Sequence, residues 1–457
     1  MISLVNYSVL KIFLGRVLTF PTPDSAHDFP EGFIAVSEQG KIVDCGKWDK
    51  EKIKYYKKSS SPVKFIDFSN SEENADERSY NRINAERYLR KSASNKGYII
   101  MPGFIDMHLH LPQFHLRGHY GASLLDWLKT YIIPAENNLT PSQKTKSFIK
   151  AFYQEMWRNG TTTAVIFSSN SFNFTDQAFQ VAKDVGFRAI LGKTMADRKY
   201  SSIITAVEST EKSLRESIEL FEKWHGVDDL LYYAFSPRFA PAVTEKLLCE
   251  VGRFCSKNSA YIHTHLAETT DELNLTRKFF PKYKTYTELY YKTGILGEKT
   301  IVAHAIHLKE SEYKLLAKTK ANVAHCPSSN FFLHSGLANT QKMEDYKIKI
   351  GLGSDVGAGP SFSLFTIMRD AYYVRSTPPA KSFYNATLGA AKALGLDNRI
   401  GSIATGKDAD FVVVKYPYWC NKDVSRTRLL SQLMFRGDDH LTIETYTRGK
   451  KVYQKIG

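Results

Sequence analysis

The chain is 457 residues long with 43% apolar and 13% aromatic side chains, enough for a large buried core and too many for a disordered or fibrous protein. That length exceeds one minimal domain, although a single α/β barrel absorbs about 250 residues alone. With 62 basic against 47 acidic residues the formal charge is +15. The densest basic run, Lys47 to Lys58, is mixed with acids and tyrosines and belongs to no nucleic-acid motif, so it reads as a solvated surface and no nucleic-acid partner is expected.

In chain order, the opening run Ile2 to Phe20 is interrupted by Lys11 and Arg16 and lacks a small-residue cleavage site, so it reads as neither a signal peptide nor a membrane span. No later stretch reaches the roughly 18 consecutive apolar residues of a span, and a soluble protein without a membrane partner is expected. Cys45, Cys249, Cys255, Cys326 and Cys420 are scattered and form no C-x-x-C pair, which excludes a disulfide framework and favours a reducing cytoplasm. Residues 69–96 are polar and charged, an exposed insertion with one helical turn expected around Ala85 to Lys91. No repeat of 20 to 50 residues is visible, which removes solenoids and propellers.

Short apolar runs then alternate with longer amphipathic stretches. Strands are predicted at Ile99 to Met107, Thr162 to Phe167, Ala189 to Gly192, Leu231 to Phe235, Ala260 to His265, Thr300 to His304, Asn322 to His325 and Ile348 to Gly353. Helical segments such as Ser142 to Arg158, Ser209 to Trp224 and Thr244 to Ser256 separate them. Eight apolar strands divided by helices predict an α/β fold, a parallel (β/α)8 TIM-type barrel over residues 101–394. Residues 1–100 and 395–457 carry β-branched and aromatic runs, Phe33 to Val36, Phe411 to Val414 and Leu441 to Tyr446, and are expected to pair as one smaller β domain entered again at Gly406 to Asp410.

Reactive groups of such a barrel gather at the carboxyl ends of the strands. Here the first strand ends in His108 and His110, the fourth runs into Arg238, the fifth into His265 and Glu268, the sixth into His304 and the eighth into Asp355. Residues two apart on a strand point to one side, so His108 and His110 can reach one metal ion; alone, that spacing also fits ordinary core or surface histidines. The coincidence with His265, His304 and Asp355 favours a metal, since zinc or iron takes imidazole and carboxylate ligands. Glu268 is placed for general acid/base work beside such a centre, against the plainer reading of a surface acid in the run with Asp271 and Glu272.

These residues resemble a known family. Met101 to His110, Gly160 to Thr163, His263 to Glu268, Ala303-His304 and Gly353 to Asp355 are similar to the amidohydrolase superfamily. Within it the chain resembles the guanine deaminases, on His110 to Gln113, Leu124 to Leu128, Ser236 to Pro241, His325 to Asn330 and Gly437 to Asp439. The resemblance implies one metal per subunit, zinc or alternatively iron(II), held by His108, His110, His265 and Asp355. It implies that His304 hydrogen-bonds the attacking water or oxyanion, that Asp355 takes the first proton, and that Glu268 protonates the ring nitrogen and the departing ammonia. Gln113 and Arg238 would bond the purine's polar edge and Phe239 would pack on its face. The implied reaction is the hydrolytic deamination of guanine to xanthine, in purine catabolism or salvage, by a cytoplasmic homodimer.

His263 precedes His265 by two and would lie one layer deeper; the family's ligand stands three before the Glu, which selects His265. His115, His119, His225, His307, His325, His334 and His440 have no comparable strand-end pattern. Thr270 and the loop Phe331 to His334 fall where family members vary and would shape the pocket. Lys193 follows the third strand, not the fourth, so it is not read as a modified lysine bridging two metals. The H-x-E and P-C-x-x-C signature of the cytidine-deaminase class is absent. Competing readings are the same chemistry on another purine, a pterin or a triazine, an inactive scaffold, and, from the charge, nucleic-acid binding.

Overall fold

A computed structural model describes residues 10–57, 63–68, 79–80, 98–121, 124–137, 139–199, 207–415 and 424–455. Eight parallel strands follow one another around a nearly closed barrel: β1 (Phe104–His110), β2 (Thr161–Phe167), β3 (Arg188–Gly192), β4 (Leu231–Pro237), β5 (Tyr261–Leu266), β6 (Thr300–His304), β7 (Asn322–His325) and β8 (Ile350–Leu352). Each pairs with the next in sequence, the expected result when every strand is followed by a crossover that returns the chain to the same end. The last and first strands meet through their C-terminal extensions, where Asp355 N–H donates to the His108 carbonyl at 2.8 Å and His110 N–H donates to the Val356 carbonyl at 2.6 Å. Closure therefore joins the two segments that carry His108, His110 and Asp355.

The crossover helices begin where the sequence supplies a side-chain acceptor. Ser142, Ser209 and Thr244 cap Gln143–Arg158, Thr210–Trp224 and Glu245–Asn258, each accepting the N–H three residues on. Their apolar faces, including Phe152, Met156, Leu220, Leu247 and Val251, join the outward strand residues Leu109, Ile166, Leu191 and Phe235 in one buried layer. A second cluster takes Ile105, Val165, Ile190, Ala234, Ile301 and Ala324 from six strands together with Ala390, Leu394 and Ile400. The interior is filled in this way, and the strand-end histidines lie toward the carboxyl ends of the strands.

A separate sheet is built from both ends of the chain, in the order Lys450–Gln454, Thr442–Thr447, Phe411–Lys415, Tyr98–Pro102, Leu10–Thr22, Ser25–Val36 and Ile42–Lys47. Val63–Asp67 and Ser79–Tyr80 extend it beside Leu10–Thr22. The single strand predicted at Ile99 to Met107 is in fact two. Tyr98–Pro102 belongs to this sheet and β1 to the barrel, divided at Gly103, where a Cβ would lie 2.3 Å from Thr162 Oγ1. Hydropathy is continuous across the division, so only the glycine marks it. The expected turn at Ala85 to Lys91 and Cys420 lie outside the described residues.

Arg188, fully buried at the start of β3, spans the two sheets. It bonds Asp408 Oδ2 at 2.7 Å and Asp410 Oδ2 at 3.2 Å, while its other arm donates to the Asp229 carbonyl at 2.8 Å. Lys193, beyond β3, is also buried and is held by both oxygens of Glu208 at 2.7 Å. Among the described residues no helix is long and apolar enough to cross a membrane.

Candidate active site

His108 and His110 are buried at the end of β1, His265 at the end of β5, His304 at the end of β6, and Asp355 follows β8. His108 Nε2 is 3.2 Å and His110 Nε2 is 3.4 Å from Asp355 Oδ1, and His265 Nε2 is 3.2 Å from His110 Nε2. His304 Nε2 stands 3.7 Å from the other Asp355 oxygen and 3.6 Å from Glu268 Oε2. His304 and Asp355 both have left-handed backbones, φ +69° and +49°, a conformation that costs free energy in residues with a Cβ and recurs at functional sites.

The second nitrogens of these rings fix their orientation. His265 Nδ1 donates to the Arg238 backbone oxygen at 2.6 Å, which leaves its Nε2 bare. His108 Nδ1 lies 2.7 Å from His263 Nε2, and His304 Nδ1 donates to Asn330 Oδ1 at 2.9 Å. Burial pushes His108 down to about 4 and holds His265 well below the ordinary imidazole range, so both are neutral at physiological pH. Burial would raise the Asp355 pKa, but His108, His110 and His304 outweigh it and hold the carboxyl well below its usual range.

Neutral rings directed at one ionised carboxylate form a donor set for a cation. His108 Nε2 is buried without a hydrogen-bond partner, and His108, His110 and His265, like His108, His304 and Asp355, offer ligand atoms within 4.8 Å of one another. The residues thus fit a divalent ion with nitrogen and oxygen ligands. A further group of potential ligands among the described residues, Asp438, Asp439 and His440, lies at the surface, away from any such buried set.

Over this cluster opens a cavity. His110, His265, His304, Asp355 and Glu268 line it along with Gln113, Arg238 and Phe239, so the residues singled out from the sequence share one site; His108 lies beneath, fully buried. Gln113 is placed by the short turn Leu111–Leu116 after β1, and Arg238 and Phe239 directly follow β4. Burial raises the Glu268 pKa, and Ser335 Oγ donates to its Oε1 at 2.9 Å. For His304, burial disfavours the cation, but the charges of Glu268 and Asp355 prevail and raise its pKa.

Three contributors were not singled out from the sequence. Glu136 sits between Gln113 and Arg238, an acid after the apolar run Tyr131 to Ala135. Asn330 orients His304. Glu272, read only as part of an acidic surface run, is buried in the cavity wall and caps its helix with Thr269; burial, with the charge of Glu268, lifts it to about 7. Its spacing from Thr269 was the available signal.

An Amidohydrolase family model matches residues 99–452, the barrel and most of the C-terminal segment. The chain belongs to this family. This amidohydrolase is 36% identical over 372 residues to guanine deaminase of Escherichia coli (strain K12), covering 79% of this chain and 84% of that one. Guanine deaminase of Dictyostelium discoideum is 28% identical over 462 residues, 97% of this chain and 98% of its own. The amidohydrolase also superposes with a TM-score of 0.83, at 26% identity and over 97% and 100% of the two chains, on guanine deaminase from C. acetobutylicum with bound guanine in the active site. Its family is metal-dependent, in keeping with the cluster beneath the cavity.

Proposed function

We propose that this amidohydrolase is a guanine deaminase, converting guanine and water to xanthine and ammonia in purine catabolism or salvage. The observation that carries the reading is the meeting in one cavity of a cation-binding cluster, a buried carboxyl of raised pKa at Glu268, and a wall formed by Gln113, Arg238 and Phe239. The relatives named guanine deaminase, one of them with guanine in its active site, support the substrate.

In this reading His108, His110, His265 and Asp355 would hold one divalent ion, zinc or iron(II), whose Lewis acidity would lower the pKa of water to about 7. Asp355 accepts the first proton of the attacking water. Glu268 delivers a proton to the ring nitrogen beside the attacked carbon, which makes that carbon electrophilic. His304 donates to the oxygen as negative charge develops there. A C–O bond forms, the C–N bond breaks, and Glu268 passes the second water proton to the amine, which leaves as ammonia; the proton held by Asp355 then returns to Glu268, so that both carboxyls end as they began. Phe239 packs on the purine face, and Gln113 and Arg238 donate to its polar edge.

A cytoplasmic homodimer belongs to the same proposal and is supported by family resemblance alone; light scattering on the purified protein tests the dimer. The activity is tested by ammonia release from guanine, adenine and an aminotriazine. Turnover of guanine far above the other two is expected, and turnover of adenine without guanine would overturn the substrate assignment.

A further inference from the structure

Glu136 takes no part in the steps above, yet its side chain is buried against Gln113 and Arg238, which line the cavity. It lies on the short helix Ile133–Asn137. Its Oε2 accepts from Arg238 Nη1 at 2.6 Å, and its Oε1 accepts from Gln113 Nε2 at 3.0 Å and from Arg238 Nη2 at 3.5 Å. A carboxylate paired with a guanidinium offers acceptors only. The Gln113 carboxamide must therefore turn its NH2 group toward Glu136, because the flipped amide would set carbonyl against carboxylate in a buried site. In that orientation Gln113 Oε1 faces the Gly357 N–H at 3.4 Å, and what the amide has left for the cavity is its second N–H. Arg238 has no acceptor in any orientation.

We propose that Glu136 is a positioning residue that fixes Gln113 and Arg238 as hydrogen-bond donors, and so makes the site select a ring carbonyl over a ring amine at the purine edge remote from the reacting amino group. The proposal rests on the guanine reading. Guanine offers that edge a carbonyl oxygen and a ring-nitrogen lone pair. 2,6-Diaminopurine keeps the reacting 2-amino group but replaces the carbonyl with a second amine, which sets N–H against N–H. In E136Q the new amide can supply an N–H of its own, Gln113 is free to flip, and the selection should weaken.

The experiment compares kcat/KM for guanine and 2,6-diaminopurine in the wild type, E136Q and E136D. The wild type is expected to prefer guanine by about 10⁴, the discrimination of a site that loses its hydrogen bonds to the wrong ring. E136Q is expected to lower that ratio about 100-fold or more, and E136D, which keeps an acceptor-only carboxylate, to restore most of it. Equal proportional losses on both rings in E136Q would make Glu136 merely structural and overturn the proposal. So would a wild type that turns over both rings alike, a result that needs no variant to fold. A wild type silent on both would overturn the guanine reading and the proposal with it.

Discussion

In the proposed reaction Glu268 gives its own proton to the ring nitrogen and then carries a second one, from water, to the leaving amine, and its burial favours the protonated form it starts from. Replacing it by Gln keeps the size and the bond from Ser335 but removes the transferable proton. Turnover of E268Q is expected to fall about 10²–10⁴-fold with metal content unchanged; unchanged turnover would exclude Glu268 as the proton carrier. His263 illustrates what the sequence conceals at this scale. The spacing to Glu268 separates it from His265, yet only the packing shows that its ring meets His108 Nδ1 at 2.7 Å. Groups that orient a ligand in this way change metal affinity about 10–100-fold when removed. H263A should weaken the metal by that amount in a chelator competition, with the fold unchanged by circular dichroism. Glu136 was harder still to see, because its partners Gln113 and Arg238 lie on other elements and no local pattern joins the three.

At the level of elements, the strand ends were the most readable feature of the chain. An apolar run that stops at a histidine or aspartate states both the strand and the end that bears chemistry, and His108, His110, His265, His304 and Asp355 do lie together. Helix starts were equally plain at Ser142, Ser209 and Thr244, whose hydroxyls accept otherwise unpaired N–H groups. The division at Gly103 was not readable from hydropathy, since the residues on both sides are buried and apolar in two different sheets. The Thr162 side chain occupies the space a Cβ would need. G103A is therefore expected to lower stability by about 1–3 kcal/mol, the usual cost of overpacking, seen as a lower urea midpoint. An unchanged midpoint would mean that the contact relaxes freely.

For the whole molecule, the barrel and the sheet from the two chain ends are linked by Arg188 and the carboxylates of Asp408 and Asp410, all buried. Arg188 is remote in sequence from both acids, so this link too was invisible before folding. Removing the guanidinium leaves two carboxylates without their buried partner, and R188A is expected to lose about 3–5 kcal/mol of unfolding free energy, while turnover per folded molecule stays near that of the wild type. A loss below about 1 kcal/mol would assign the link little weight, as for surface pairs. The proposed chemistry on guanine depends on one cation at the mouth of the barrel, held by three imidazoles and Asp355. Its most direct test is to strip the purified protein of metal and restore zinc stepwise while measuring ammonia released from guanine. Activity should be absent in the stripped protein, rise in proportion to added zinc and level off at one equivalent per chain; guanine turnover that survives stripping, or that never returns with any divalent ion, would contradict it.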